Sequence, residues 1–222
     1  MGDNKSELIV SSQTSPHHNL EKVVRRYMNS NYQDTIPQYA QDAFEQANQF
    51  VAQCHQAVIL DNGCGTAESS FHLAKLFPNA SVIGIDKSKD RLKKSHSHGR
   101  QPSNLHLVHC DCVPFWQLAH NAGWNIQRQY FFYPNPWPKP SHLQRRWHAH
   151  PIFPVMLSLG GELIMRTNWE IYAQEFQIAL QLHGKKNIKM RELVIDDALT
   201  PFERKYSNSG HQLFEVRTED IE

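Results

Sequence analysis

The chain lacks any long run of apolar residues. Of its 222 residues 40% are hydrophobic, yet no stretch approaches the roughly 18 consecutive apolar residues that a membrane-spanning helix needs. Its first ten residues, MGDNKSELIV, also lack the apolar core of a secretory signal. We therefore expect a globular protein of the cytoplasm that does not enter a membrane.

An excess of one charge and paired cysteines are lacking as well. The net charge is +1, so the field of the whole molecule favours neither nucleic acid nor any other charged partner. The four cysteines form no C-x-x-C pair, which argues against a zinc ribbon and a thioredoxin motif. The fourteen histidines include H-x-H pairs at 96/98 and 148/150, but no H-x-x-x-H or carboxylate partner accompanies them, so we predict no metal site.

Short apolar segments alternate with amphipathic ones along most of the chain. The predicted strands cover 57–61, 81–86, 105–111, 129–134, 161–167, 187–194 and 211–217, and the predicted helices cover 20–30, 37–54, 67–77, 89–97, 113–123 and 168–182. This alternation predicts an α/β fold with a mostly parallel, doubly wound sheet. We expect one such domain over 37–222 and an N-terminal arm with a short helix over 1–36. In the helix over 37–54, Tyr39, Phe44, Ala47 and Val51 are expected to share the apolar face.

A glycine loop follows the first predicted strand, in the order Asp61-Asn62-Gly63-Cys64-Gly65-Thr66. Gly63 and Gly65 allow a tight turn and a close approach of the backbone to a ligand. The dinucleotide fingerprint needs a third glycine where this chain has Glu68, and that carboxylate would repel a pyrophosphate. S-adenosylmethionine carries an ammonium and a sulfonium but no phosphate, and Asp61 suits those cations. The loop therefore predicts this cofactor.

Two further acidic residues follow the next two predicted strands. Asp86 comes about 20 residues after the glycine loop, where a carboxylate can accept hydrogen bonds from both ribose hydroxyls. Asp111 ends the third predicted strand and is placed to meet the adenine amino group. Each could be merely a polar strand end, but together with Asp61 they predict the Rossmann-like fold of class I S-adenosylmethionine-dependent methyltransferases. The predicted cofactor contacts are Asp61, Gly63, Gly65, Asp86 and Asp111.

A proline-rich loop, YPNPWPK at 133–139, follows the fourth predicted strand. Its prolines lack backbone donors and fix φ, so the loop is expected to be stiff. A stiff loop can hold Asn135 towards the transferred methyl group without an ordering cost at each turnover.

The same loop begins a resemblance to a known family. PNPWPKPSHLQRR at 134–146 resembles the PDPWPKKRHxKRR pattern of bacterial tRNA (guanine-N7-)-methyltransferases. TNWEIYA at 167–173 is similar to the family's T-D-W-E-x-Y-A, and TPFER at 200–204 with Gly210-His211 is similar to its T-K-F-E-R … G-H. The pieces match in order from about 57 to 217.

The resemblance implies a site and partners. The cofactor would be S-adenosylmethionine and the partner RNA, most simply tRNA, bound by a monomeric enzyme. Asn135 would be the catalytic residue and also a cofactor contact, where the family has aspartate. Asn168 likewise replaces an aspartate, and Pro201 replaces a lysine. The implied substrate contacts are Lys139, Asn168, Thr200, Pro201, Phe202 and Glu203.

Two basic stretches support RNA binding despite the low net charge. KSKDRLKKSHSHGR at 87–100 and KPSHLQRRWH at 139–148 could contact phosphates, and Trp147 could stack on a base. The first stretch also fits a solvated helix face.

Two alternatives to guanine-N7 methylation stay open. One is another acceptor, such as an exocyclic amino group. The other is a catalytically silent RNA-binding protein that keeps the fold.

Overall fold

The structure, a computed structural model, describes residues 6–30, 32–54 and 57–219. The described strands are β1 Ala57–Asn62, β2 Ala80–Asp86, β3 Leu105–His109, β4 Ile126–Phe132, β5 Glu162–Thr167, β6 Ile188–Leu193 and β7 Leu213–Thr218. The described α-helices are α1 Leu20–Tyr27, α2 Gln38–Cys54, α3 Glu68–Leu76, α4 Lys89–Leu92, α5 Cys112–Asn121, α6 Phe153–Ser158, α7 Glu170–Leu182 and α8 Pro201–Asn208. None of the described helices is long and apolar enough to cross a membrane.

The strands form one seven-stranded sheet of order β3-β2-β1-β4-β5-β7-β6. β1 is parallel to β2 and to β4, and β2 is parallel to β3. β7 is antiparallel to both β5 and β6. The sequence-based prediction of a mostly parallel α/β sheet is therefore confirmed.

The chain divides into two compact units. One, called here the parallel unit, consists of Tyr32–Phe132 and Val155–Glu162. The other, the antiparallel unit, consists of Met1–Asn31, Tyr133–Pro154 and Leu163–Glu222. The predicted division into an arm over 1–36 and a domain over 37–222 stays a prediction.

The core of the parallel unit surrounds β1 and β2. All seven residues of β2 are buried, and in β1 only the first is exposed. Such continuous burial is expected for parallel strands covered on both faces. A Cβ atom at Gly84 would lie 2.5 Å from Ser70 Oγ and 2.8 Å from a methyl of Leu107. Glycine at this position therefore lets α3 pack closely on β2.

The fourth and third strands end earlier than predicted. β4 ends at Phe132, because Tyr133 has a positive φ of 51° that breaks the extended backbone. β3 ends at His109, so Asp111 is not a strand residue. It is instead the N-cap of α5, where its side chain accepts a hydrogen bond from Val113 N.

Two helix predictions also need correction. The predicted helix over 89–97 is α-helical only to Leu92, and Lys93–His98 continue as a 3₁₀ helix. In α2 the buried residues are Ala40, Phe44 and Ala47, whereas Tyr39 is 51% exposed. The apolar face therefore begins one residue later than predicted, at the i, i+4, i+7 spacing of a helix.

The antiparallel unit contains α8, which the sequence analysis missed. Thr200 caps this helix by accepting from Glu203 N at 2.9 Å, and Pro201 is its first residue. Proline suits that position because its missing N–H would have no partner inside the helix. The hydroxyl at the N-cap and the glutamate three residues later are the sequence signal of a helix start.

Candidate active site

The glycine loop is built around backbone angles that favour glycine. Gly63 has φ 74° and Gly65 has φ 60°, and a Cβ atom at either position would meet nothing within 4 Å. Gly65 N donates to Asp86 Oδ2 at 2.9 Å, and Cys64 N donates to Ile85 O at 2.9 Å. The loop is thus fastened to the end of β2 while its glycines border open space.

Asp61 is fully buried beneath this loop. Its Oδ2 accepts from the hydroxyls of Ser69 and Ser70, each at 2.6 Å, while Oδ1 is buried with no hydrogen-bond partner among the described residues. Burial raises the pKa of this carboxyl to about 6, although the two serine bonds act in the opposite direction. Because buried polar atoms are nearly always paired, an acceptor left open here indicates a place for a donor from a ligand.

Asp86 is held by its own surroundings. It is 4% exposed, and its Oδ1 accepts from Ser88 N at 2.7 Å while Oδ2 accepts from Gly65 N. The Arg91 guanidinium lies 3.5 Å from Oδ2. Asp86 therefore ends β2, as predicted, and connects that strand to the glycine loop.

Asp111 lies at an open cleft. Its Oδ1 accepts from Val113 N at 3.0 Å, so one oxygen serves as a helix cap. Asp111 also lines a cleft of about 270 Å³ together with Tyr39, Lys87, His109 and Cys110. Tyr39 lines this cleft, whereas the sequence analysis placed it on the apolar face of the helix. Its exposure was not predicted, because the predicted apolar face of α2 begins at Tyr39 whereas the buried face begins at Ala40.

The acidic side chains of the parallel unit fit S-adenosylmethionine. Asp61 and Asp86 lie near the carboxyl ends of β1 and β2, Asp111 follows the neighbouring strand β3, and Glu68 begins α3. Such a set suits the cationic and hydroxyl groups of that cofactor and would repel a pyrophosphate. Among the described residues, no group of three or more His, Cys, Asp or Glu could hold a metal ion.

The proline-rich loop of the antiparallel unit is strained at two residues. Tyr133 has φ 51° and Trp137 has φ 46°, values that cost a non-glycine residue about 1–3 kcal/mol each and persist only when the surroundings enforce them. Tyr133 N donates to Arg166 O at 2.8 Å, and its hydroxyl donates to Glu203 Oε1 at 2.9 Å. These contacts hold the first strained residue in place.

The second strained residue is held by two arginines. The carbonyl of Trp137 accepts from Arg146 Nε at 3.3 Å and from Nη2 at 3.1 Å, and the Arg145 guanidinium lies 4.8 Å from the centre of the Trp137 ring. Asn135, between the two strained residues, is exposed, and its Oδ1 accepts from Trp137 N at 3.3 Å. Lys139 is also exposed. The loop therefore presents Asn135 to solvent on a fixed backbone.

Two of the six predicted substrate contacts, Asn168 and Phe202, adjoin a group of aromatic rings. Asn168 Nδ2 lies 3.2 Å from His211 Nδ1, and the His211 ring stacks on Tyr206 with 5.2 Å between centres. Tyr206 in turn lies 5.4 Å from the ring of Tyr133 and 6.0 Å from that of Phe202. The sequence analysis missed Tyr206, although the Gly210-His211 pair, whose histidine stacks on Tyr206, was part of the resemblance.

Glu203 is buried rather than open to a substrate. Its carboxylate is 0% exposed and accepts from Tyr133, from Arg166 Nη1 at 2.9 Å and from Leu199 N at 2.7 Å. Thr200 caps α8 with its hydroxyl, and Pro201 is the exposed first residue of that helix. In this conformation Thr200 and Glu203 support the scaffold of the site, and their direct contact with a substrate stays a prediction.

Comparison with known proteins identifies relatives of the chain. A family model described as "Putative methyltransferase" matches residues 55–216. A tRNA (guanine-N(7)-)-methyltransferase from Shewanella frigidimarina is 27% identical over 171 residues, which is 72% of this chain and 71% of the relative. The enzyme of the same name from Salmonella typhi is 28% identical over 178 residues, 74% of this chain and 72% of the relative.

Solved structures with the same fold are also methyltransferases. An antibiotic-related methyltransferase aligns with a TM-score of 0.56 at 14% identity, covering 87% of this chain and 98% of its own. The 16S rRNA methyltransferase KamB aligns with a TM-score of 0.58 at 15% identity, covering 85% and 95%. The predicted Rossmann-like fold of class I S-adenosylmethionine-dependent methyltransferases is confirmed. The protein is an enzyme, and its chain belongs to the methyltransferase family whose model spans residues 55–216.

Proposed function

We propose that the enzyme transfers a methyl group from S-adenosylmethionine to N7 of a guanine in tRNA. The observation that carries this proposal is the exposure of Asn135 on a loop fixed between two left-handed residues, at the position where the resembled family carries aspartate. The relatives named tRNA (guanine-N(7)-)-methyltransferase, which align with about 72% of the chain, support the choice of acceptor.

The parallel unit would bind the cofactor. Asp61, with its open Oδ1, would accept from the cofactor ammonium, and Asp86 would accept from the ribose hydroxyls. Gly63 and Gly65 would leave room beside the backbone, and Asp111 would face the adenine from the cleft. When bound, S-adenosylmethionine supplies a methyl group activated by a sulfonium.

The acceptor needs positioning more than proton transfer. Guanine N7 has a free lone pair and no proton, so no general base is required, and well-held geometry can remove several kcal/mol from the barrier. The purine becomes positively charged as it takes the methyl group. The uncharged amides of Asn135 and Asn168 would orient the base through hydrogen bonds, since an amide oxygen can accept from a base N–H and an amide NH₂ can donate to O6.

Exposed basic residues would hold the RNA backbone. Lys139 of the proline-rich loop and Arg145, which lies against the Trp137 ring, are exposed, and the Lys and Arg side chains of 87–100 are exposed on the parallel unit. Each phosphate contact contributes about one to the slope of affinity against salt concentration. Residues 200–203, which include Phe202, would supply the remaining contacts with the acceptor. We place the reaction in the cytoplasm and propose a monomer.

The test is methyl transfer to unmodified tRNA followed by chemical cleavage at 7-methylguanosine. We expect cleavage with the wild type and less of it with Asp86→Ala at limiting S-adenosylmethionine, whose binding to the variant in calorimetry should weaken by ~1.5–3 kcal/mol. A different methylated nucleoside in mass spectrometry would replace guanine N7 as the acceptor. Cofactor binding without modification of any RNA would overturn the proposal.

A further inference from the structure

An N-terminal segment of the antiparallel unit contacts residues near the predicted catalytic and substrate-binding residues at several points. This arm segment, residues 6–17, precedes α1. Ser6 N donates to Ser209 Oγ at 2.9 Å, and Ser6 O lies 3.0 Å from His211 Nε2. Further along, Ser11 Oγ donates to Pro138 O at 2.6 Å. The segment therefore contacts both the histidine that holds Asn168 and the proline-rich loop itself.

A buried arginine joins the arm segment to the loop. Arg146 is 0% exposed, and its Nη2 donates both to Gln13 Oε1 at 3.0 Å and to Trp137 O at 3.1 Å. Its guanidinium also lies 4.8 Å from the centre of the Trp169 ring. The Arg146 side chain thus connects the arm segment with the carbonyl of Trp137, the strained residue two positions after Asn135.

The counterion of Arg146 is itself bound by the arm segment. Glu175 Oε2 accepts from Arg146 Nη1 and from His148 Nε2 at 2.9 Å, while Oε1 accepts from Gln13 Nε2 at 2.6 Å and from His17 N at 2.8 Å. Burial alone would raise the pKa of Glu175, but the bonds from His148 and Arg146 bring it to about 2. Burial also lowers the pKa of His148. At neutral pH the carboxylate is ionised and all its bonds are formed.

We propose that the arm segment is a positioning element of the methyl-transfer reaction, acting on Asn135 through the carbonyls of Trp137 and Pro138. This inference rests on the proposed function of the loop. Trp137 keeps its left-handed backbone only while its surroundings enforce it, and Gln13 and Ser11 supply part of that enforcement. Without them Arg146 loses one of its fixed partners and the loop loses a direct bond. A small displacement of a positioned group can reduce turnover strongly.

The test uses the double variant Ser11→Ala/Gln13→Ala. Hydrogen exchange over 133–139 is well suited to it, because the prolines leave amide protons only at Tyr133, Asn135, Trp137 and Lys139. We expect faster exchange of these amides and a kcat for tRNA methylation reduced about three- to thirtyfold, from the loss of one or two hydrogen bonds. The KM for S-adenosylmethionine should change less than kcat, because Asn135 is the one proposed cofactor contact in the loop and the others lie in the parallel unit.

Two single substitutions serve as controls. Val10→Ala alters a side chain of the same segment that is 87% exposed, and it should leave both exchange and kcat unchanged. Ser11→Thr, with Gln13 left unchanged, keeps the hydroxyl group. It should therefore retain part of the amide protection over 133–139 that the double variant loses. Wild-type exchange rates in the double variant would overturn the inference. If the wild type methylates no RNA, the proposed function fails, but the exchange measurement still decides whether the arm segment holds the loop.

Discussion

Two fully buried carboxylates, one in each unit, are in opposite states. Asp61 in the parallel unit has one oxygen shared by two serine hydroxyls and one without a hydrogen-bond partner among the residues described, and burial raises its pKa to about 6. Glu175 in the antiparallel unit has both oxygens used by four donors, and its pKa is about 2. A buried carboxylate with an oxygen that lacks a hydrogen-bond donor indicates a binding site. A buried carboxylate whose two oxygens are both hydrogen-bonded indicates a structural role, here the connection of several elements.

Removing the charge of Glu175 should give the largest effect. Glu175→Gln leaves Arg146 buried without a counterion, which should lower the free energy of unfolding by about 3–5 kcal/mol at pH 7. The folded pKa lies below the usual value near 4.5, so the contribution is present above that value and is lost as pH falls towards 2. Urea unfolding at pH 7 and at pH 2.5 measures both. Glu45→Gln, on an exposed side chain, is the matched control, and equal stability of the two variants would contradict the assignment.

The same kind of substitution at Asp61 should act in the other direction. A carboxyl with a raised folded pKa keeps a proton that the unfolded chain releases, so its contribution is present below pH 4 and is lost as pH rises through about 6. Asp61→Asn removes this penalty, and at pH 8 the cofactor-free protein should gain up to about 3 kcal/mol. It should also bind S-adenosylmethionine more weakly. Thermal unfolding at pH 4 and pH 8 tests the first effect, and a variant less stable than the wild type at pH 8 would refute it.

A substitution at Phe202 can show whether this residue of the antiparallel unit contacts the acceptor. Phe202 is 46% exposed and stacks on Tyr206, so its free face could stack on a base. Phe202→Leu should raise the KM for tRNA by the equivalent of about 1–3 kcal/mol and leave the affinity for S-adenosylmethionine unchanged. Phe202→Trp keeps an aromatic face and should retain most of the activity. A KM that responds equally to both changes would exclude stacking.

The smallest expected effect concerns the charge of the loop. Asn135→Asp should speed N7 methylation about tenfold, because a carboxylate stabilises the positive charge that develops on the purine by about 1.4 kcal/mol more than an amide does. Single-turnover rates on unmodified tRNA measure the change. If the acceptor is an amino group or another atom, the variant should be slower than the wild type, since an amide donor is lost.

The sheet was predictable because its signal is local. Short apolar runs that alternate with helices define strands within a few residues, and β2 and β5 lie within one residue of their predicted bounds at each end. Helix α8 was missed because it has only one buried residue and therefore no apolar periodicity. Its start is encoded instead by the cap at Thr200 and Glu203.

The supports of the candidate site were not predictable in the same way. Arg146 and Glu175 are 29 positions apart, and Gln13 is 133 positions from Arg146, so no local pattern connects them. The polar residues themselves were visible, as Asp61, Asp86 and Asn135 were, but the number of donors that each acid meets follows only from tertiary packing. That number separates the roles of Asp61 and Glu175.

Gly84 gives the parallel unit a weak point away from every recognisable motif. A single methyl group there would push the Ser70 hydroxyl from its place, since the two atoms would stand 2.5 Å apart. Asp61 would then lose one of its two internal donors. In a survey of natural variants, alanine at 84 would therefore resemble a partial loss-of-function change in the glycine loop, although residue 84 lies outside that loop. Genetic screens for partial loss of function should recover this position.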